Sequence, residues 1–469
     1  MRALIEIARM EGRRLMRRRS YGVLLGLFAV LVVTAAALSA ERQGRAREQR
    51  AGYQQQVRAQ WESQPDRHPH RVAHYGTFAF KPVGPLAAFD PGVESFSGRI
   101  QFLEAHRQNA ANFSEAGALS SAFRLGELSL SFLLQVCLPL ILIVIGHRVF
   151  SGETESGRLR LLLAQGARVG PLLGGKAAGL ALASLPFLAV IGVATVAVSG
   201  QAGSTAWDRL AALTLAGGLY LGAWVGLTLW TSARARTSNQ ALALLVGVWV
   251  ACCVILPRAT AAFATAAHPA PSKSQFTEDV AAEIHRLGDS HNATDQTFDS
   301  LRDKILKEYG VARVEDLPVN YGALVMTEGE SLSAEVFSRH YGQLDAAYGR
   351  QNRLLALSSL FNPSMGFRVV SAAISGTDYA AQSRFLREAE AYRYSFVQEL
   401  NALHRDKIRY VNDRDQRLEA DHWDVFPDFK PTQPSLNETL QASALGWAGL
   451  ALWALLPVFL LCRLRVDPA

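Results

Sequence analysis

Few residues of this 469-residue chain stand where they could do chemistry. Gly170-Pro-Leu-Leu-Gly-Gly175-Lys176-Ala177 nearly spells a phosphate-binding loop. Its last position is Ala, so the hydroxyl that would ligate Mg²⁺ is missing, no strand precedes it and an apolar run follows. The chain is therefore expected to bind no ATP itself. His68, His70, His74 and His106, with Glu104, are a second group. Imidazoles are ligands for zinc, copper and iron, and His70, His74 and His106 are the candidate metal ligands. Their spacing fits no regular helix or strand site, and the chain has only five Met, so a solvated or hydrogen-bonding role is the default expectation. Cys137, Cys252, Cys253 and Cys462 lie in or at the ends of apolar runs, where they are expected to act as small packing residues.

The elements around these residues are unusual in how they segregate. The chain is 49% apolar and 19% charged, with a net charge of +7, but long stretches hold no charge while others are rich in Arg, Asp and Glu. A helix needs about 20 apolar residues to cross a bilayer core. Residues 20–40, 127–147, 177–199, 209–231, 240–256 and 442–462 qualify. The first run is not read as a cleavable signal, being longer than a typical signal core and followed by a polar helix without a small-residue cleavage site. The basic residues flank apolar runs and form no basic face on a folded domain, which argues against a nucleic-acid partner.

Arg13, Arg14, Arg17, Arg18 and Arg19 precede the first run. Arg148, Arg158, Arg160, Arg168 and Lys176 fill the loop 148–176, Arg234 and Arg236 lie in 232–239, and Arg463 and Arg465 in the tail 463–469. The loop 200–208 has no basic residue. By the positive-inside rule, both termini are expected in the cytoplasm, with segments 41–126 and 257–441 outside. The expected fold is an all-α integral membrane protein of six spans with two mainly helical extracytoplasmic domains. No Asp, Glu, Lys or Arg falls in the middle of a span, which argues against an ion-coupled carrier or an intramembrane hydrolase.

Residues 1–19 form an amphipathic segment. Leu4, Ile5, Ala8, Gly12, Leu15 and Met16 share a face opposite Arg2, Glu6, Arg9, Arg13 and Arg17, as suits a helix lying on anionic membrane lipids. Residues 41–64 read as a polar stalk continuing the first span, and 99–123 as a second helix. In the second segment, apolar stripes over 330–360 (Leu332, Val336, Tyr341, Leu344, Tyr348, Leu355) and 382–412 (Phe385, Ala389, Tyr392, Phe396, Leu400, Leu403) predict two helices packed on each other. The apolar stretch from Asn362-Pro363 to Ile374 is expected near the bilayer surface. Gly217, Gly218, Gly222 and Gly226 allow close helix packing in the fourth span.

The loop after the second span carries Glu153, Glu155, Gly157, Arg158, Leu159, Arg160, Leu162, Arg168, Gly175 and Lys176. This resembles the coupling region of ABC-2-type permeases: an acidic pair, a Gly, an Arg-rich Leu run, and a basic residue before Gly-Lys. Ala73-His-Tyr-Gly76, Phe80-Lys-Pro82, Gly84-Pro-Leu86, Asp90-Pro-Gly92 and Leu103-Glu-Ala-His-Arg-Gln-Asn109 are similar to one ABC-2 subfamily with large outer insertions after the first and fifth spans. Asn362-Pro363, Ser375-Gly-Thr-Asp378 and Ala389-Glu-Ala-Tyr-Arg393 match its second insertion.

The resemblance implies a non-enzymatic permease subunit of a bacterial inner membrane. It would pair with a second copy or a sister permease and recruit two copies of an ABC ATP-binding subunit. ATP and Mg²⁺ would sit on that partner, with no cofactor on this chain. A periplasmic protein is a further implied partner. The coupling residues implied are Glu153, Glu155, Gly157, Arg158, Leu159, Arg160, Leu162 and Arg168. Two other readings stay open: a subunit that relays ATPase motion to a periplasmic enzyme or maturation factor without transport, and a membrane-anchored receptor, for which six spans exceed what an anchor needs.

Overall fold

The structure is a computed structural model describing residues 2–110, 128–199 and 205–464. In chain order its main elements are α1 (Arg2–Met16), α2 (Arg19–Glu62), α3 (Pro69–Tyr75), β1 (Thr77–Phe80), β2 (Ile100–Glu104) and β3 (Arg107–Gln108). They continue with α4 (Leu130–Glu155), α5 (Arg158–Ala164), α6 (Val169–Ser199), α7 (Thr205–Arg234), α8 (Ser238–Ala267), α9 (Lys273–His285) and α10 (Asp299–Tyr309). The last are α11 (Tyr321–Leu357), α12 (Pro363–Ser375), α13 (Tyr379–Lys407), α14 (Leu436–Ala442) and α15 (Ala444–Cys462). The protein is mostly helical. Among the described residues, α2, α4, α6, α7, α8 and α15 are long and apolar enough to cross a membrane, and the expected runs fall on them. Of the expected loop 200–208, residues 205–208 are helical and 200–204 lie outside the described residues, as does Arg465 of the tail.

Two of these helices contain a π turn, Leu133–Cys137 in α4 and Ala251–Ile255 in α8, each running up to a proline, Pro139 or Pro257. Proline has no N–H to offer the preceding turn, so carbonyls there are released and need other donors. Side chains supply them. Tyr220 Oη donates to Gln135 O at 2.6 Å, Trp249 Nε1 to Val136 O at 2.9 Å, and Asn362 Nδ2 to Cys252 O at 2.8 Å. Asn362 also caps α12, its side chain accepting from Ser364 N.

α12 thereby packs against the apolar helices. Its Phe367 is fully buried in the core of the spans and stacks on Tyr220, with ring centroids 5.2 Å apart. Of the four glycines in α7, Gly226 makes the close approach: a Cβ there would stand 2.4 Å from Pro457 of α15.

The segment 41–126, the first of the two expected outside, differs from its reading in the sequence. Residues 100–108 form two strands, not the start of a helix; 111–123 of the expected helix lie outside the described residues. Gly98, at φ 72°, ends the preceding turn, and from Ile100 onward side chains alternate, with Gln101 and Leu103 buried. β2 pairs antiparallel with β1, Phe102 opposite Phe78, and turns into β3 at Ala105-His106.

The two large segments between the apolar helices share cores. Trp61, Val72, Ala73 and Ala105 of the first pack with Phe396, Leu400, Trp423 and Phe426 of the second. Trp61 lies 5.1 Å from Phe396 and 6.0 Å from Phe426 between centroids; such pairs add about 0.5–1.5 kcal/mol each beyond area burial. α11 and α13 pack together as their stripes predict. α2 reaches this body unbroken. Its 44 residues make a rod about 66 Å long at 1.5 Å per residue, and Trp61 Nε1 near its end donates to Trp423 O at 2.8 Å.

Candidate functional site

Two polar constellations stand out, one at each end of the helical bundle. The first lies where α1 crosses the start of α6. Glycines make this crossing close: a Cβ at Gly175 would stand 2.6 Å from Ile7 Cβ, and one at Gly179 2.7 Å from Glu11 Cβ. Of the glycines that imitate a phosphate loop, Gly174 and Gly175 thus serve helix contact, while a Cβ at Gly170 would meet nothing within 4 Å. α1 turns Ala8, Glu11, Gly12 and Leu15 inward while Ile5 and Met16 stay exposed. Its basic residues Arg2, Arg9, Arg13 and Arg17 face outward.

The contact buries Lys176. Its Nζ donates to Glu153 Oε1 at 2.8 Å, Val149 O at 2.8 Å and Glu11 Oε2 at 3.4 Å. Arg14 lies 3.5 Å from both carboxylates. Two acids and two bases balance, which makes the buried cluster tolerable. Glu155, the other acid of the pair, accepts from Ser238 Oγ at 2.6 Å and Ser238 N at 3.3 Å, so its charge sits at the N-terminus of α8, where the helix dipole favours an anion. Gly157, at φ 71°, turns the chain from this anchor into α5.

The expected coupling residues therefore divide. Glu153 and Glu155 are used inside the chain, and Leu159 is buried, with Leu162 partly so. Arg158, Arg160, Leu161 and Arg168 are exposed. Arg158 also joins Arg14, Arg18, Arg148 and Gly152 around a cleft of about 380 Å³. Glu11 was not among the expected residues. The signal for it is an acid placed on the apolar face between Ala8 and Leu15.

The second constellation belongs to the two large segments between the apolar helices. α3 starts at Pro69, with His68 Nδ1 capping it by accepting from His70 N at 3.2 Å. His70 and His74 are four apart on this helix, so they share a face; the spacing does fit a helical pair, because the segment folds as a helix of about two turns. Their Nε2 atoms are 3.2 Å apart, and His74 Nε2 is 3.5 Å from His291 Nε2. His106 enters from the β2–β3 turn, its ring centroid 4.8 Å from that of His291. Nothing in the sequence pairs His291, far away between α9 and α10, with the other three.

Glu330 of α11 holds His106, accepting its N–H at 2.8 Å and lying 3.1 Å from its Nδ1. Arg393 of α13 donates to Glu330 Oε1 at 2.6 Å, to Glu390 at 2.7 and 2.8 Å, and to Glu104 O at 3.1 Å. Burial opposes the charge of Glu330, but the His106 imidazole and Arg393 hold it below the usual carboxylate range. Burial and the neighbouring imidazoles push His70 down to about 2 and lower His74, so both rings are neutral. Close by, Asp413 accepts from His404 Nε2 and Asn320 Nδ2, each at 2.6 Å, and lies 3.6 Å from His68 Nε2.

Motif residues from both outer segments also meet. Ser371 Oγ donates to Asp90 Oδ2 at 2.5 Å, Thr377 Oγ1 to Asp90 O at 2.9 Å and Val93 N to Thr377 O at 2.8 Å. Asp90-Pro-Gly92 and Ser375-Gly-Thr-Asp378 thus form one knot, beside Arg209 of α7, whose Nη1 donates to Ile374 O at 2.8 Å.

Residues 274–432 match the model of a family described as a domain of unknown function, DUF3526. The match runs from α9 past α13 and includes His291, Glu330, Arg393 and the motif residues of the second segment. No curated protein matches the chain.

Proposed function

We propose that this chain is the membrane-spanning permease subunit of an ABC-2-type transporter in a bacterial inner membrane. The observation that carries the reading is the buried Lys176–Glu153–Glu11 cluster. It ties the ends of α4 and the start of α6 to α1, while Glu155 ties the same loop to α8. A force applied to α5 would reach α1, α4, α6 and α8 at once. The exposed Arg158, Arg160 and Leu161 form the surface on which an ATP-binding subunit would press, charges setting register and the leucine filling a pocket. In this reading the loops around α5 and both termini are cytoplasmic, and the outer body lies in the periplasm. Two ATPase copies carry ATP and Mg²⁺, and a second permease copy completes the complex.

A second reading, in which ATPase motion is relayed to a periplasmic enzyme or maturation factor without transport, draws support from α2. One unbroken helix joins the α1 region to the outer core at Trp61, and a rigid rod is what such a relay needs.

The test is affinity capture from mildly solubilised native membranes, comparing wild type with Arg158→Glu/Arg160→Glu. Co-purification of an ABC ATPase with wild type, lost in a variant of unchanged melting temperature, supports the reading. Wild type that captures no ATPase sinks it. Glu153 and Glu155 are poor probes, because changing them would break internal bonds.

A further inference from the structure

We propose that His70, His74, His106 and His291 form a binding site for one divalent transition-metal ion of the zinc or copper(II) class. One ligand nitrogen from each residue lies within 4.8 Å of every other. A tetrahedral ion with metal–nitrogen bonds of about 2.0–2.1 Å sets its ligand atoms about 3.3 Å apart. The His70–His74 and His74–His291 separations, 3.2 and 3.5 Å, already stand at that edge length. The remaining approach asks only for rotation of side chains and of the exposed connection that carries His291.

The surroundings are built as metal sites are. Ligating imidazoles commonly have a carboxylate at their other nitrogen, which fixes tautomer and ring direction. Here Asp289 lies 3.2 Å from His291 Nδ1, and Glu330 lies 3.1 Å from His106 Nδ1, leaving Nε2 of each ring for an ion. His106 has φ 61°, a left-handed conformation rare for any residue with a side chain. The Glu330–Arg393 pair holds it there, and strain held by its neighbours is a mark of functional positions. His70 and His74 share a helical face before any ion arrives. His74 and His291 are exposed, which gives an entry path. Four imidazoles without thiolates or first-sphere carboxylates suit Zn²⁺ and Cu²⁺, not Mg²⁺ or Ca²⁺.

Three of the ligands come from the first outer segment and one from the second, so a bound ion would staple the α9–α10 connection to α3 and the β2–β3 turn. The proposal stands independently of the transporter reading.

The experiment uses the purified full chain in detergent, stripped with chelator and titrated with Zn²⁺, then Cu²⁺, against a chromogenic competitor. One ion per chain is expected. His74→Ala and His291→Ala should each weaken binding by roughly 100-fold or more, since even second-shell losses cost 10–100-fold. His285→Ala, an exposed histidine at the end of α9, should change nothing. X-ray absorption of the Zn²⁺-loaded wild type should show three or four imidazole nitrogens at about 2.0 Å, a readout that needs no variant to fold. Failure to retain either ion against the competitor, binding indifferent to both substitutions, or fewer than three imidazoles in the spectrum would each overturn the assignment.

Discussion

Lys176 Nζ stands 2.8 Å from Glu153 Oε1, with almost none of either side chain exposed. The lysine sits about two turns into α6 and the glutamate at the end of α4, and Glu11 of α1 completes the contact. Three separate helices are thus joined through one ammonium group, beside the short helix α5.

Removing that ammonium should be costly. Lys176→Met leaves Glu11 and Glu153 buried side by side with only Arg14 near them, and breaking a buried pair from one side costs about 3–5 kcal/mol. Thermal unfolding in detergent should show a large drop, and adding Glu153→Gln to Lys176→Met should recover part of it. A single variant as stable as wild type would show that the cluster holds nothing together.

The Arg393–Glu330 pair makes the same kind of prediction in the outer body. Both residues are fully buried, and Arg393 also reaches Glu390 and the β2 carbonyl of Glu104. Arg393→Met should destabilise the protein by about 3–5 kcal/mol. Limited proteolysis should then open cleavage in the outer segments first. Arg393→Lys should rescue only partly, because one ammonium cannot replace the guanidinium's fork.

Asp413 sets a pH dependence. Burial would raise it, but the hydrogen bond from His404, the His68 imidazole 3.6 Å away and the hydrogen bond from the Asn320 amide hold it well below the usual carboxylate range. A carboxylate depressed in the folded state contributes stability that is full above its unfolded pKa of about 4 and is lost as pH falls below it. Asp413→Asn should therefore lower the melting temperature near pH 7, and the gap from wild type should close as pH falls below about 4. A gap that widens on acidification would refute this.

Gly92→Ala tests the knot between the two outer segments. Gly92 has φ 50°, and a Cβ there would stand 2.3 Å from the backbone oxygen of Thr377. The left-handed conformation costs an alanine about 1–2 kcal/mol, and overpacking adds about 1–3 kcal/mol. Gly22→Ala, where a Cβ meets nothing within 4 Å, is the control. Equal melting temperatures for the two variants would show that the knot tolerates more than its geometry suggests.

The six long helices were legible in the sequence because crossing a bilayer is a matter of apolar length, a property of consecutive residues. The packed pair α11 and α13 was legible for a related reason, since a stripe at three- and four-residue spacing defines a buried face before the partner is known. The hairpin at residues 100–108 was not, because its alternation is short and its residues also suit a helix. Which charges of the loop 148–176 face outward was hidden too: Glu153 and Arg158 look alike in a list of residues, and only Lys176 and Ser238, brought in by other helices, separate internal anchors from free surface. His291 shows the limit most clearly. One-dimensional spacing carries His70 and His74 onto one face, but the meeting of His106 and His291 is made by the packing of two segments separated in the chain by four spans, and only the tertiary structure decides it.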